Sequence, residues 1–299
     1  MEEGWRVTVI DNFSNGTLKN LERWLDNSDF KLVRGDLKNP SDLDSALEGV
    51  DSVFHFAANP EVRVGEVNPL IHFKENLLST FNLLEAIRKK NEIEILIFAS
   101  TSTIYGEAET LPTPEDYGPL LPISTYGATK LGCEALISSY ASTFGFRALI
   151  LRLANIVGSR ANHGVIFDFI NKLRKTPTRL EILGDGTQTK SYLHIEDCVE
   201  AILHLYKHFK NDRKQVDVYN VGSEDQVNVK RIAEIVVEEM GLKNTAFNFT
   251  GGVDGGRGWR GDVKKMSLSA KKLLKTGWRQ KYKGEIAIRL AVKEILQTY

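Results

Sequence analysis

The sequence predicts an α/β fold: a Rossmann-like, doubly wound parallel sheet lacking its first strand and glycine loop, followed by a smaller mixed C-terminal lobe. Three observations point there. Short β-branched runs alternate with amphipathic helical stretches through the first half of the chain. The first run, "RVTVID" (6–11), ends on an acid and a Gly/Asn/Ser cluster, as parallel strands in such sheets do. After residue 155 the alternation gives way to a mixed pattern.

The elements follow in order. "MEEGW" reads as the tail of a helix with Gly4 as its stop. The strands "RVTVID", "KLVRGD" (31–36), "SVFHFAA" (52–58), "IEILIFAS" (93–100) and "RALILRLAN" (147–155) are apolar runs of the kind buried on both faces. Between them, "NPSDLDSALEGV" starts a helix at a capping Ser41, and 68–90 forms one long amphipathic helix. A second long helix spans 123–145 and closes on Gly145. Next come a helix at 165–175, strands at 180–186 and 190–195, a helix at 196–209, a strand at 217–222 and a helix at 228–241. The glycine-rich loop "GGVDGGRGWRGD" (251–262) and two final helices complete the chain. The expected division is a dinucleotide-binding domain over 1–157 and a substrate lobe over 158–299, with elements around 190–222 returning to the first sheet.

Composition narrows the function. Of 299 residues, 39 are Lys or Arg and 39 Asp or Glu, so no bulk field recruits nucleic acid or an anionic membrane. An anionic ligand must therefore be held by local features. Cys133 and Cys198 are far apart and in no metal-ligand spacing, which reads as two reduced thiols. No run of about 18 apolar residues exists. The expectation is a soluble, cytoplasmic protein.

Asp11 raises a geometric question. In dinucleotide-binding sheets the acid that holds the adenosine ribose follows the glycine fingerprint by about 20 residues. Counting back from Asp11 runs off the front of the chain. The expectation is that the first strand and glycine turn lie upstream of residue 1, and that the chain is a fragment or has a mis-assigned start. With strand order 3-2-1-4-5-6, the absent strand is central, and its neighbours stand roughly 9–10 Å apart. Several buried Val and Ile side chains, each contributing about 1.5–3 kcal/mol, would be lost with it.

The strongest chemical signal is "STYGATK", where Tyr126 and Lys130 share one helix face. An ammonium near a phenol favours the phenolate and lowers its pKa from about 10, giving a base usable near neutrality. "FASTSTIYG" (98–106) follows a strand whose C-terminal end is where such sheets place reactive groups, and Thr101 supplies a hydroxyl there.

Joint motifs extend this picture: "VIDNFSNG", "HFAANPEVR" (55–63), "ENLLSTFNLLEA" (75–86), "STSTIYG", "YGATK", "LRLANIVG" (151–158), "GDGTQTKSYLHIEDCVEA" (184–201) and "GRGWRGDV" (256–263). Together they resemble the extended short-chain dehydrogenases/reductases of the NAD-dependent sugar-nucleotide epimerase/dehydratase family, in particular its archaeal UDP-glucose 4-epimerase-like members. The resemblance implies NAD as cofactor, a nucleotide-sugar substrate and a homodimer formed through the two long helices. It implies that Asp11, Asn12 and Asn15 serve the adenosine end, and that Asp36 and Leu37 border the adenine. Phe56, Ala57 and Ala58 would line the dinucleotide, Asn76 would support the sheet edge, and Tyr126 and Lys130 would meet the nicotinamide end. An acidic ribose partner favours NAD over NADP, because a 2′-phosphate would be repelled. On the substrate side, Asn155, Lys190 and Arg257 would hold the diphosphate, Asp262 the nucleotide ribose and Thr101 the hexose.

The implied mechanism is C4 epimerisation of a UDP-hexose through a 4-ketose, with Thr101, Tyr126 and Lys130 as the catalytic set. Dehydrating relatives carry an Asp-Glu pair where this chain has Ser102 and Thr103, which argues against elimination. Another nucleotide-sugar epimerase or dehydratase of the same family is the competing enzyme reading. A non-catalytic dinucleotide-binding module or an inactive fragment is the competing reading outside catalysis. His204 and His208 read as surface histidines near a helix end, and Trp259 and Trp278 as packing residues.

Overall fold

The computed structural model describes residues 1–298. It opens on a turn rather than the expected helix tail: Gly4 N–H donates to Met1 O (2.9 Å), and Gly4 takes a φ of +75°. Strand β1 (Val7–Asp11) pairs in parallel with β2 (Phe30–Arg34), Asp11 opposite Arg34. Helix α1 (Pro40–Ala46) begins one residue before Ser41, since Pro at the first turn lacks only an N–H that would find no partner there. Asn39, not Ser41, is its N-cap residue.

After β3 (Ser52–His55) come α2 (Val64–Val67) and α3 (Pro69–His72). A π-turn over Phe73–Leu78 leads into α4 (Ser79–Lys90). The single helix expected over 68–90 is thus interrupted. Asn76, inside the wide turn, directs its amide to Asn59, accepting from Asn59 N (2.8 Å) and donating to Asn59 O (3.3 Å). Such bulges recur at functional sites.

Strand β4 (Ile95–Thr101), helix α5 (Thr125–Phe144) and strand β5 (Arg147–Leu153) form the centre. Ser124 caps α5 by accepting from Gly127 N (3.1 Å), and Gly145 ends it at a φ of +87°. Then follow β6 (Asn155–Val157), α6 (Val165–Lys175), β7 (Arg179–Ile182), β8 (Thr189–His194), α7 (Ile195–Lys210) and β9 (Val216–Val221). The chain ends with β10 (Gln226–Asn228), α8 (Val229–Glu239), β11 (Ala246–Phe249), β12 (Lys265–Met266), α9 (Lys271–Lys275) and α10 (Gly284–Thr298).

The main sheet is all parallel, in the order β3-β4-β5-β9, and β2-β1 is a separate parallel pair. Among the described residues, β1 pairs only with β2 and β3 only with β4, so no strand pairing joins the β2-β1 pair to the main sheet. Trp5, just before β1, stacks 6.3 Å from Phe54 of β3 and meets Tyr206 of α7 edge-on at 5.3 Å. Of the stretch around 190–222, only β9 joins the main sheet. Strand β8 instead centres a sheet of its own, with β10, β12 and β6 as partners.

Alternation along the central strands builds two cores. Leu96, Phe98, Ala148 and Ile150 pack against Leu83, Leu84, Cys133 and Ile137 of α4 and α5. Ile95, Ile97, Leu149 and Leu151 pack against Cys198, Ala201 and Leu205 of α7. Each fully buried Leu, Ile or Phe stabilises the fold by about 1.5–3 kcal/mol. Helices α6, α8 and α10 enclose a third core in the C-terminal part. No helix among the described residues is long and apolar enough to cross a membrane.

The turn that leaves β4 depends on Gly106. Its φ is +62°, and a Cβ there would sit 2.0 Å from Leu121 O. Gly106→Ala is expected to cost about 1–3 kcal/mol, lowering the melting temperature by several degrees. A thermal melt within about 1 °C of the parent would contradict that close approach.

Candidate active site

Three predicted residues converge at the C-terminal end of β4. Thr101 is buried, and its Oγ1 accepts from Thr103 N (3.2 Å) and lies 3.1 Å from Thr103 Oγ1. Tyr126, in the first turn of α5, hydrogen-bonds the Thr101 side chain. Lys130, one turn further on, is buried and donates from Nζ to Ala99 O (2.8 Å), with the Phe98 ring centroid 4.6 Å away. Burial pushes the Tyr126 phenol up to about 12, against the Thr101 hydrogen bond that pulls it down. Burial likewise pulls the Lys130 ammonium down to about 8. The expectation that Lys130 lowers the phenol pKa is therefore corrected for the protein by itself. The lysine donates to a backbone carbonyl, and burial favours the neutral form of both groups.

Two histidines brace this cluster. His72 is buried, with Nδ1 2.9 Å from Thr125 Oγ1 and Nε2 3.1 Å from Glu61 O, and its ring lies edge-on to Tyr126 at 5.6 Å. His55 Nε2 lies 2.9 Å from Thr80 Oγ1, and burial together with the Lys130 charge pulls its pKa to about 3. Both cysteines are free and buried.

A cavity of about 210 Å³ opens beside β1 and β3, and Asp11, Asn12, Asn15, Asp36, Leu37, Phe56, Ala57 and Ala58 all line it. Asp11 Oδ1 accepts from Phe13 N (2.7 Å), and Oδ2 lies 3.2 Å from where a Cβ on Gly16 would sit, so the glycine leaves that carboxylate accessible. Asn12 Nδ2 donates to Asp36 Oδ2 (3.0 Å), and Lys38 bridges Asp36 and Glu75. Burial pushes the Asp36 carboxyl up, but hydrogen bonds from Asn12 and Lys38 outweigh it and hold the group below the usual range. These acceptors suit the hydroxyls of an adenosine ribose, and Lys130 and Tyr126 suit the opposite, nicotinamide end. The two ends of a dinucleotide thus have fitting partners. No glycine-rich strand-to-helix turn borders the cavity among the described residues. Three residues expected at the cofactor, Asn76, Tyr126 and Lys130, do not line this cavity. Asn76, expected to support the sheet edge, holds the Asn59 backbone.

On the substrate side, the structure joins Lys190 and Asp262, with Nζ to Oδ1 at 2.6 Å, and Asp262 Oδ2 also accepts from Gly258 N (3.1 Å). Asn155 donates from Nδ2 to Ser191 O (3.1 Å). Arg257 is drawn away towards Glu107 (2.8 Å) and Asp254 O. Trp259, expected as simple packing, lies beside two cations, with Lys190 Nζ and Arg63 Cζ each 5.6 Å from its ring centroid. Trp278 is core, as expected.

Sequence reading passed over His72, Glu107, Glu134 and Arg152. For the last two a signal exists: Glu134 repeats the Tyr126–Lys130 spacing once more, and Arg152 interrupts an apolar strand. Elsewhere, His204 Nε2 lies 2.8 Å from Thr276 Oγ1. His194, Glu196 and Glu294 gather their ligand atoms within 4.8 Å. Both His194 ring nitrogens are already engaged there, with Glu294 Oε2 (3.2 Å) and Glu196 N (3.4 Å), which makes the group a strut between β8 and α10.

Comparison with known proteins agrees with this geometry. The model of the NAD dependent epimerase/dehydratase family matches residues 1–222. A putative UDP-glucose 4-epimerase of Methanocaldococcus jannaschii is 30% identical over 302 residues, covering 99% of this chain and 91% of that protein. A crystal structure of a UDP-galactose 4-epimerase superposes with a TM-score of 0.85 at 41% identity, covering 99% of this chain and 92% of that one. The UDP-glucuronic acid 4-epimerase of Bacillus cereus, solved with UDP-glucuronic acid and NAD, gives 0.85 at 28% identity, covering 99% and 93%.

The buried lysine makes stability depend on pH. Its folded pKa of about 8 lies below the ordinary lysine value of 10.5, so the unfolded chain binds more protons between those values. The contribution of this group is full above the upper value and is lost as pH falls through about 8. Lys130→Met is therefore expected to gain on the parent below that point, by an order of 1–3 kcal/mol, and to lose the gain as pH rises towards 10. Melting curves of both proteins across pH 7–10 check this, and a pH-independent difference would contradict it.

Proposed function

The chain belongs to the NAD-dependent epimerase/dehydratase family, and from that premise we propose that it interconverts the C4 epimers of a UDP-hexose, UDP-glucose and UDP-galactose, in the cytoplasm. One observation carries the reading: a hydroxyl, a phenol and an ammonium gather at the end of β4, where the hydrogen bonds of Thr101 and Tyr126 run to Thr103 and to each other and not to a carboxyl side chain.

The residues divide the work by position. Thr101 hydrogen-bonds O4 of the hexose and holds it against Tyr126. The Tyr126 oxygen takes the O4 proton and later returns it, as general acid–base catalysis requires. NAD, when bound, supplies the hydride acceptor and donor that make the sugar a transient 4-ketose. Asp11 and Asp36 would hold its adenosine end, and Lys130 its nicotinamide ribose. Burial holds the phenol neutral in the protein by itself, and the Thr101 hydrogen bond is the contact that favours the phenolate this step needs. Lys190 and Arg257 would neutralise the substrate diphosphate, and Asp262 and Asn155 would position the nucleotide. Ser102 and Thr103 stand where an eliminating relative needs its acid, and Glu107 and Glu115 are tied elsewhere: Glu107 to Arg257 and Lys264 N, Glu115 to Asn220 N (2.9 Å). Epimerisation is thereby favoured over dehydration.

A second surface supports a homodimer. Leu70, Phe73, Phe81 and Phe144 are exposed on the segments around α4 and α5, and Tyr140 meets Phe81 and Phe144 edge-on. Exposed aromatic faces of this kind mark interfaces.

Two outcomes are expected. The protein supplied with NAD interconverts UDP-glucose and UDP-galactose, and Tyr126→Phe lowers kcat by about 10²–10⁴-fold while the nucleotide sugar still binds. Parental turnover in Tyr126→Phe removes the phenol from proton transfer. Sedimentation is expected to give twice the 33.6 kDa chain mass, and Phe81→Glu with Phe144→Glu to give the monomer. A dimer that survives both changes places the interface elsewhere.

A further inference from the structure

Helix α5 carries Tyr126 and Lys130, yet its catalytic half has little apolar surface with which to dock. The fully buried positions are Gly127, Lys130, Cys133, Glu134, Ile137 and Ala141, so the first large hydrophobic side chain to be fully buried is Ile137, while Leu131 and Leu136 pack only partly buried. At Gly127 a Cβ would lie 2.8 Å from Thr103 O, which brings the first turn close to the end of β4. Ridges packed into grooves set the angle between elements, and here the fully buried apolar ridge starts beyond the turns that carry Tyr126 and Lys130.

Polar contacts take its place. Tyr126, Lys130 and Glu134 lie four residues apart along one stripe of α5. The first meets Thr101, the second donates to Ala99 O, and the third accepts from Ser100 Oγ. Arg152 adds Nη2 (2.9 Å) and Nε (3.2 Å) to the same Glu134 carboxylate. Ser100 and Arg152 are register partners in β4 and β5, and Arg152 and Asn220 are partners in β5 and β9. A buried polar row therefore crosses three strands one residue before the Thr101 level. Arg152 Nη1 also donates to Tyr105 OH (2.9 Å) and Glu115 O (2.8 Å), and Tyr105 OH donates to Asn220 Oδ1 (2.8 Å). Each named group has its partner.

A buried ion pair is weak evidence for stability, because apolar residues of similar volume often do as well. What an apolar pair cannot supply is direction. We propose that Glu134 and Arg152 are positioning residues that fix the rotation and register of α5 on β4, and so hold Tyr126 against Thr101. This role rests on the proposed use of Tyr126 as the proton carrier. Neither residue lines the cavity, and both bond to groups of the strands and loops behind Thr101, so the effect expected of them is on turnover and not on binding.

The test replaces both with Glu134→Met/Arg152→Met in the full chain supplied with NAD. The double variant is expected to melt near the parent, to lose at least about tenfold in kcat for UDP-galactose and to keep KM within about threefold. Backbone amide exchange over 124–130 is expected to quicken by at least about tenfold. A folded double variant with parental exchange overturns the proposal whatever its activity, and so does parental kcat in the active enzyme. Should the parent epimerise no UDP-hexose, the proposed function fails, and the exchange measurement alone decides the role of the pair. If the double variant does not fold, Glu134→Gln, which keeps the length and loses the charge, is read in the same two ways.

Discussion

The structure depends on how one helix meets the end of one strand. β4 is buried along nearly its whole length, with β3 and β5 paired on either side of it, so its C-terminal end is fixed by the sheet. α5 must then bring a phenol to that end from outside. Hydrogen bonds are directional and apolar contacts are not, and within a low-dielectric core a mispaired polar group costs more than the pairing contributes. Placing Thr101, Ala99 O and Ser100 opposite Tyr126, Lys130 and Glu134 makes most alternative registers of the helix expensive. The accuracy of the site is set by what would be left unpaired in any other arrangement.

Much of this was legible in the sequence, for a physical reason. Buried parallel strands need near-continuous apolar runs, and all five runs read as strands became β1 to β5, although "SVFHFAA" and "RALILRLAN" end a little early. The cavity lining was legible through the strand ends, since Asp11 closes β1, Asp36 lies two residues beyond β2 and Phe56 follows β3 directly. What was not legible was side-chain direction. Lys130 looked free to act on Tyr126, but its depth in the fold takes it to a backbone carbonyl. Arg257, expected at the diphosphate, pairs with Glu107, and Asn76, expected to support the sheet edge, holds Asn59. The π-turn at 73–78 left no mark in the apolar pattern, because a one-residue widening barely disturbs a helical stripe.

The charges on the substrate side lead to a final step. Each cation there is already matched: Lys190 with Asp262, Arg257 with Glu107, and Arg63 with Glu61 and Asp168. On the proposed reading, a diphosphate that reaches Lys190 and Arg257 must exchange with the carboxylates of Asp262 and Glu107, and the net gain is the difference between two similar attractions. That moderates affinity in a protein with 39 basic and 39 acidic residues and no long-range field to add to it. On the proposed reading the sugar must turn within the pocket, which suits few contacts near the reacting carbon, and Thr101 and Tyr126 are the ones proposed there. The matched pairs also keep Lys190 and Arg257 oriented before any ligand arrives, so less side-chain freedom is lost on binding.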